Sequence, residues 1–546
     1  MDWTNLPSWL PEALRDGLLV GATGRLHLSG LARLALNAAQ ELDAAGARES
    51  AWLGRDLLYA AWEEDPFNGP LAATLLTLCE KDAPPALVNA LRWVSRSWKQ
   101  DAKAERLARQ SRAENLLALL SSEKHVNPYV LQKTVECVLT DGDPEQLLAV
   151  LEGELSRRWP AQAEPLRLGL LADVHLLTAR SAEAETLYRR ASNAFDSSAW
   201  RVRLGECMRR SGRMGEAVDV WRGALAQRPW DAQLLLRLRD AATGVADQLQ
   251  PLGGATAVLL YTYNKAWDLE RTLSGLEAAG LQGQTLFVLD NGSRDATPDV
   301  LSRWQQRLGR DLLRRVDMPV NVGAPAARNW LIHLNEIAKY PFAAFVDDDA
   351  LVPGDWLGRL GAAVKARPEA SVWGCKVLDA QRPWVVQNAD LHVLPEPDAL
   401  LGVDRGQTPS LPVSDLHHQG FDFGQFDSLR SCVSVTGCCH LFRTETLLRD
   451  GGFDIRFSPS QFDDLDRDLC VGLQGGWAVC QGHLAVHHLK RTGEAARQGG
   501  AVAGNALGNH VKLLHKHAPE DWVRLQQRDM QRVLAEVADA QHVLAD

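Results

Sequence analysis

Residues 255–290, ATAVLLYTYNKAWDLERTLSGLEAAGLQGQTLFVLD, decide how the second half of the chain is read. ATAVLLYTYN is a short apolar run rich in β-formers and bounded by glycines, as a buried strand requires. ERTLSGLEAAG has helical spacing and ends on glycine, a common helix stop. QTLFVLD is apolar again and reads as a second strand. The same alternation continues outward. ATPDVLSRWQQRLG reads as a helix, RRVDMPV as a strand, APAARNWLIHLNEIAK as a helix and FAAFVDDD as a strand. Such a βαβα succession predicts a Rossmann-like, mostly parallel sheet covered by helices. Ligands of such sheets gather at the carboxyl ends of the strands. The polar clusters fall there: Thr262-Tyr263-Asn264, then Asp290-Asn291-Gly292-Ser293, then Asp347-Asp348-Asp349.

The first half has a different pattern. Stretches such as GRLHLSGLARLALNAAQELDAAG and PEQLLAVLEGELSRRW repeat apolar residues at three and four, so residues 1–248 read as helix after helix. Gly205, Ala217, Trp221, Ala224 and Pro229 fall at intervals of 12, 4, 3 and 5, and Ala172, Ala184, Tyr188 and Ala191 repeat the first three. This pattern resembles the tetratricopeptide repeat, in which small residues let two helices approach and an aromatic fills the gap between them. Stacked repeats of this kind offer a concave face. The expected domains are a helical, tetratricopeptide-like domain over 1–248, an α/β domain over 253–495 and a helical C-terminal extension over 496–546.

The 546 residues carry a formal net charge of −10, which argues against a nucleic-acid partner. The start, MDWTNLPSWLPEALRDG, has no signal pattern, and no apolar run is long enough to span a bilayer, so a cytoplasmic location is expected. The nine cysteines form no C-x-x-C pair, which excludes a zinc ribbon or a dithiol redox motif.

The common nucleotide fingerprints are missing. There is no G-x-x-x-x-G-K, and no G-x-G-x-x-G follows the first strand. Carboxylates stand at the strand ends instead. Three adjacent aspartates after a buried strand need a cation. Mg²⁺ and Mn²⁺ take oxygen ligands and bridge carboxylates to phosphates.

Several ordered motifs resemble the family 2 glycosyltransferases, nucleotide-sugar enzymes of the GT-A fold. They are VLLYTYNKAWDLERTLSGL (258–276), LFVLDNGSRDAT (286–297), NVGAPAARNWLI (321–332), AFVDDDALVPGDWL (344–357), GGFDIRF (451–457) and QFDDLDRDLCVGLQGGW (461–477). The resemblance implies roles. Thr262, Tyr263 and Asn264 line the base and ribose pocket. Asp290 accepts hydrogen bonds from the nucleobase, with Ser293 nearby. Gly323 and Arg328 border the nucleotide. Asp347 and Asp348 lie by the ribose, and Asp349 binds a divalent metal, Mn²⁺ or Mg²⁺. In the family a histidine near this point of the chain often completes the metal site, so His487 or His488 in HLAVHHLKRTG (483–493) fills that role, and alternation lets only one face the cleft. Lys490 and Arg491 meet the diphosphate.

The family's inverting mechanism needs a general base. The acidic run Asp463-Asp464-Leu465-Asp466 offers two registers, Asp464, the preferred one, and Asp466. Thr436 and His440 of TGCCHLF fall loosely on the acceptor side. Trp356, Trp373 and Trp384 read as core more readily than as sugar platforms.

The implied function is a metal-dependent, inverting transfer of a sugar from a nucleotide diphosphate to an acceptor hydroxyl. Bacterial enzymes that join such helical and catalytic parts resemble protein or surface-glycan glycosylation enzymes, flagellin modification among them, which implies a helical domain that holds the acceptor or else serves as a stabilising or oligomerising spacer. A nucleotidyltransferase would need an early Gly-rich basic loop, which YTYNKAW lacks. A non-catalytic scaffold with a degenerate transferase domain is the remaining alternative.

Overall fold

The computed structural model describes residues 1–79, 81–394, 410–418, 420–490 and 500–545. The chain divides into two compact units, one built on Met1–Leu238 and one on the residues from Arg239 onward, with residues 420–425 joining the first. Among the described residues, no helix is long and apolar enough to cross a membrane.

Within Met1–Leu238, the described secondary-structure elements are all helices. Asp43, Asp101, Asp143 and Ser197 each precede a helix and accept one of its free N–H groups. The helices Glu164–Leu177, Ser181–Ser192, Ser198–Arg210 and Met214–Gln227 pack in successive pairs. Ala172, Ala184, Tyr188 and Ala191 are fully buried, as are Ala217, Trp221 and Ala224. Gly205 explains the close approach in the last pair. A Cβ there would stand 2.2 Å from Trp221 Nε1, and that indole N–H donates to the Val202 carbonyl at 2.9 Å.

The second unit is an α/β layer structure. Its strands are β1 (Thr256–Thr262), β2 (Gln284–Asp290), β3 (Leu313–Asp317), β4 (Phe342–Val346), β5 (Ala350–Leu351), β6 (Val372–Asp379), β7 (Val386–Asn388), β8 (Leu429–Cys432), β9 (Cys439–Arg443) and β10 (Ala478–His488). The sheet order is β3-β2-β1-β4-β9-β6-β10-β5, with β7 on β6 and β8 on β10. The expected strands β1 to β4 form a parallel half, and β1, β2 and β4 are buried on both faces.

The sheet as a whole is mixed rather than mostly parallel. β9 runs antiparallel between β4 and β6, and β5, β7 and β8 add short antiparallel pairings. The reason is local connectivity. β9 returns along β4 with Val346 opposite Cys439, which brings Thr436-Gly437-Cys438 to the carboxyl end of β4. The Asp347 N–H donates to the Cys438 carbonyl there at 2.9 Å.

Two helices close the chain, Gly500–Lys516 and Pro519–Ala545. They pack back on the second unit: Leu513, Trp522 and Leu525 share a cluster with Phe457, Leu465 and Leu469. Glu536 accepts from the Ser431 N–H at 3.0 Å and from its hydroxyl at 2.7 Å.

Candidate active site

The ends of β1, β2 and β4 meet the start of β9, the end of β10 and the helix Asp463–Leu473 around one cavity of about 390 Å³. Its wall includes Tyr261, Tyr263, Lys265, Arg328, Asp347, Asp348, Asp349, Gly437, Cys438, Asp464 and His488.

The three adjacent aspartates are each answered by a cation. Lys265 forms ion pairs with Asp349 and, at 3.3 Å, with Asp348. His488 Nε2 lies 2.8 Å from Asp349 Oδ1. Arg328 pairs with Asp463 at 2.6 Å and reaches Asp347 at 3.4 Å. Strand pairing explains the histidine's place. The turn through Asp347–Asp349 leads into β5, which lies antiparallel to β10 with Ala350 opposite His488. The Leu489 N–H donates to the Asp349 carbonyl at 2.8 Å. His487 has the opposite orientation; it is not on the cavity wall, and its charged surroundings are Lys376 and Asp379.

Burial and charge set the protonation of this cluster. Burial pushes the Asp349 carboxyl up, but the His488 hydrogen bond and the His488 and Lys265 charges outweigh it and hold it well below the usual range. Asp348 and Asp347 go the other way, because burial prevails over Lys265 and Arg328 respectively. Burial lowers the Lys265 ammonium pKa, yet Asp348 and Asp349 raise it to a net upward shift. His488 is likewise raised on balance, by Asp349 against burial.

The loop after β2 is tied to β1 and to the Asn321 turn. The Asp290 carboxylate accepts from the Ser293 N–H at 2.9 Å, and the Ser293 hydroxyl accepts from the Asn264 N–H at 2.9 Å. Asn264 holds a positive φ of 53° and caps Arg294 N–H with its side chain at 2.7 Å. Asn291 donates to Asn321 at 3.0 Å and accepts from the Val322 N–H at 2.9 Å. Gly323, with φ of 85°, admits the segment around Ser458; a Cβ would stand 2.7 Å from Ser458 Oγ. Thr262 is buried beside Asp348 rather than on the cavity wall.

Of the acidic run, Asp464 faces the cavity. Its Oδ2 accepts from the Gly437 N–H at 2.6 Å and its Oδ1 from the Leu465 N–H at 2.9 Å. Asp463 also lines the cavity and is held by Arg328. Asp466 is not on that wall; it binds Lys516 at 2.6 Å and His517 at 3.0 Å. Gln461 and Phe462, just before the helix, both have positive φ, 79° and 68°. Backbone in this sparsely populated region is a known companion of functional sites.

Thr436 and Lys490 line the cavity, and Arg491 lies outside the described residues. His440 is buried against Phe345, Phe442 and Phe453. Trp356 and Trp373 are core residues, and Trp384 is not on the wall. Sequence reasoning placed Asn291 in a strand-end cluster without a role and assigned none to Lys265, Asn321 and Gly437. For Lys265 the signal was present: three carboxylates demand a cation, and a lysine directly follows the polar end of the first strand.

As a donor set, Asp347, Cys438 and His488 each place one ligand atom within 4.8 Å of the others, and Asp349 adjoins His488. The carboxylates and the imidazole suit Mn²⁺ or Mg²⁺, and the Cys438 thiol is the one donor of the set that does not.

Comparison with known proteins agrees with this chemistry. Residues 257–447 match the family model described as glycosyl transferase family 2. The matched residues lie largely in the second unit and include the ends of β1, β2 and β4 and the start of β9. The O-antigen biosynthesis protein RfbC of Myxococcus xanthus is 29% identical over 207 residues, which cover 38% of this chain but 15% of that protein. The chain thus spans a small part of that relative's length. An N-acetylglucosaminyl-diphospho-decaprenol L-rhamnosyltransferase of Mycobacterium tuberculosis is 25% identical over 280 residues, covering 48% of this chain and 84% of the relative. A Pyrobaculum calidifontis mannosyltransferase solved with GDP-Man and Mn²⁺ overlays with a TM-score of 0.34 at 18% identity, covering 60% of this chain and 87% of that one, a likeness too loose to inform the site.

Proposed function

We propose that this chain is a metal-dependent, inverting glycosyltransferase that moves a sugar from a nucleoside-diphosphate donor to an acceptor hydroxyl. The observation that carries the reading is a single cavity whose wall includes Asp349, His488 and Asp464 together. A GT-A-type catalytic domain over 253–495 would hold this site. A tetratricopeptide-like domain over 1–248 would present the acceptor, and the helices of 496–546 would brace the catalytic helix. The reaction is assigned to the cytoplasm.

Asp349 and His488 would hold Mn²⁺ or Mg²⁺, whose charge stabilises a leaving diphosphate. The remaining roles belong to side chains and backbone of the chain itself. Tyr263, Asn264, Asp290 and Ser293 would bind base and ribose, with Asp347 and Asp348 beside the ribose. Lys265 balances the aspartates when the donor is absent, and Lys490 stands on the wall where a phosphate would lie. Asp464 would take the proton of the acceptor hydroxyl. Two backbone N–H groups fix its carboxylate, so its orientation is set before the acceptor arrives. Arg328 and Asp463 would keep that geometry from collapsing onto the aspartate turn.

Of the acceptor classes, a surface glycan is favoured over a protein such as flagellin. The named roles of the Myxococcus and Mycobacterium relatives, O-antigen biosynthesis and rhamnosyl transfer to a diphospho-decaprenol sugar, support it.

The test is Asp464→Asn. It keeps the side-chain shape and should leave nucleotide affinity within about twofold, while transfer falls by about 10²–10⁴-fold. Normal turnover by a folded Asp464→Asn protein would remove Asp464 as the base.

A further inference from the structure

A second group of metal-ligating side chains lies away from the cleft. Asp466 and Cys470 sit one turn apart on the helix Asp463–Leu473, which puts them on one face. His517 comes from the junction between the two C-terminal helices. A carboxylate oxygen, a thiol sulfur and an imidazole nitrogen from these three all lie within 4.8 Å of one another. Asp466 Oδ1 is 3.0 Å from His517 Nε2, and its other oxygen accepts from Lys516 Nζ at 2.6 Å.

This spacing suits a tetrahedral ion. Metal–oxygen and metal–nitrogen bonds of about 2.0–2.2 Å and a metal–sulfur bond of about 2.3 Å set ligand atoms roughly 3.3–3.8 Å apart. Small side-chain movements would reach that from the observed positions. The donor types narrow the ion. Magnesium and calcium avoid thiolate, whereas zinc accepts sulfur, nitrogen and oxygen together. Access exists as well. Asp466 is 1% and His517 5% exposed, but Cys470 is half-buried, and Asp466 and Cys470 line a cavity of about 390 Å³ that also includes Asp454. A water can serve as fourth ligand from that side, since the Asp454 carboxylate is held by Arg456 and Lys516. Lys516 can keep its hold on the far oxygen of Asp466.

We propose that Asp466, Cys470 and His517 form a zinc site, separate from the aspartate cleft, that ties the helix carrying Asp464 to the C-terminal helices. Binding takes the thiolate and the unprotonated imidazole nitrogen, so the thiol proton is released to solvent. The site does not depend on the transferase reading, because it concerns how two helical segments are joined.

The full-length chain, stripped with a chelator and dialysed, is titrated with Co²⁺ alone as the spectroscopic probe. The expected result is a thiolate-to-cobalt charge-transfer band at one equivalent, displaced by Zn²⁺. The band should vanish in Cys470→Ser and persist in Cys438→Ser and in Asp349→Asn. His517→Gln should weaken Zn²⁺ binding by more than the roughly 10–100-fold that a lost outer partner costs. Circular dichroism first establishes that each variant is folded. Absence of a thiolate band in the folded Cys438→Ser chain, or a band that survives when Cys470→Ser is added to it, overturns the proposal. If Cys470→Ser does not fold, an unchanged band and affinity in folded His517→Gln overturns it equally.

Discussion

Gly437→Ala probes how tightly the catalytic cluster is packed. Gly437 lies beside β4, and its N–H donates to Asp464 Oδ2 at 2.6 Å. A Cβ added there would stand 2.8 Å from an Arg328 guanidinium nitrogen, 3.0 Å from Asp464 Oδ2 and 3.1 Å from Asp464 Cβ. Ordinary contacts need about 3.5–4.0 Å, so a neighbour must move by roughly 0.5–1 Å. Arg328 has little freedom to do so. It is buried, tied to Asp463 at 2.6 Å and packed over Tyr261 and Phe453 at 5.3 and 5.2 Å. Asp464 is therefore the side chain that shifts. A misplacement of about 1 Å at reacting groups can cost about 100-fold in rate, which corresponds to about 2.7 kcal/mol of barrier. Overpacking should add a stability loss of about 1–3 kcal/mol. The assays are sugar transfer to water or acceptor under single-turnover conditions and urea unfolding. Gly354→Ala is the control, because a Cβ there meets nothing within 4 Å. Turnover of a folded Gly437→Ala protein within about threefold of wild type would show that the Gly437–Asp464–Arg328 packing does not set the rate.

Three other outcomes are expected. In the helical unit, Gly205→Ala should destabilise by about 1–3 kcal/mol through its clash with buried Trp221, whereas Gly215→Ala, with open space around it, should gain up to about 1 kcal/mol from helix propensity; urea midpoints give both signs. Burial pushes the Asp231 carboxyl up to about 6, against the Leu234 N–H bond and the Arg228 charge. The folded state then holds a proton that the unfolded chain releases near its ordinary value, so this stability is full below about pH 4 and is lost as pH rises to about 6; Asp231→Asn should flatten that slope by at most roughly 3 kcal/mol. His488→Ala should weaken Mn²⁺-supported nucleotide binding about tenfold or more and His487→Ala should not, since only His488 reaches Asp349; calorimetry with each variant distinguishes them.

The parallel half of the sheet was legible because β1, β2 and β4 are buried on both faces and so appear as unbroken apolar runs. The antiparallel strands were not. β9 is the five-residue stretch Cys439–Arg443, and its direction is fixed by its partners β4 and β6, not by its own composition. The same non-local pairing hid the site's assembly. Alternation implies that His487 and His488 face opposite ways, but only the pairing of β10 with β5 says which one meets Asp349. The choice between Asp464 and Asp466 is similar. Two residues on a helix differ by roughly 200°, so one face holds Asp464 against Gly437 and the other turns Asp466 to Lys516 and His517. Which face meets the cleft depends on the C-terminal helices, far away in the chain. Repeat spacing around Gly205 and Trp221 was legible for a different reason: a close helix contact leaves a small residue and an aromatic at fixed local intervals.

The most direct test of the central claim is calorimetric titration of the full chain with UDP, GDP, dTDP and CMP, each with Mn²⁺ and again with EDTA, in wild type and in Asp349→Asn. The account predicts that one nucleotide binds in the presence of Mn²⁺, that EDTA abolishes that binding, and that Asp349→Asn reproduces the EDTA result. Absence of binding by folded wild-type protein, or binding indifferent both to EDTA and to Asp349→Asn, would contradict it.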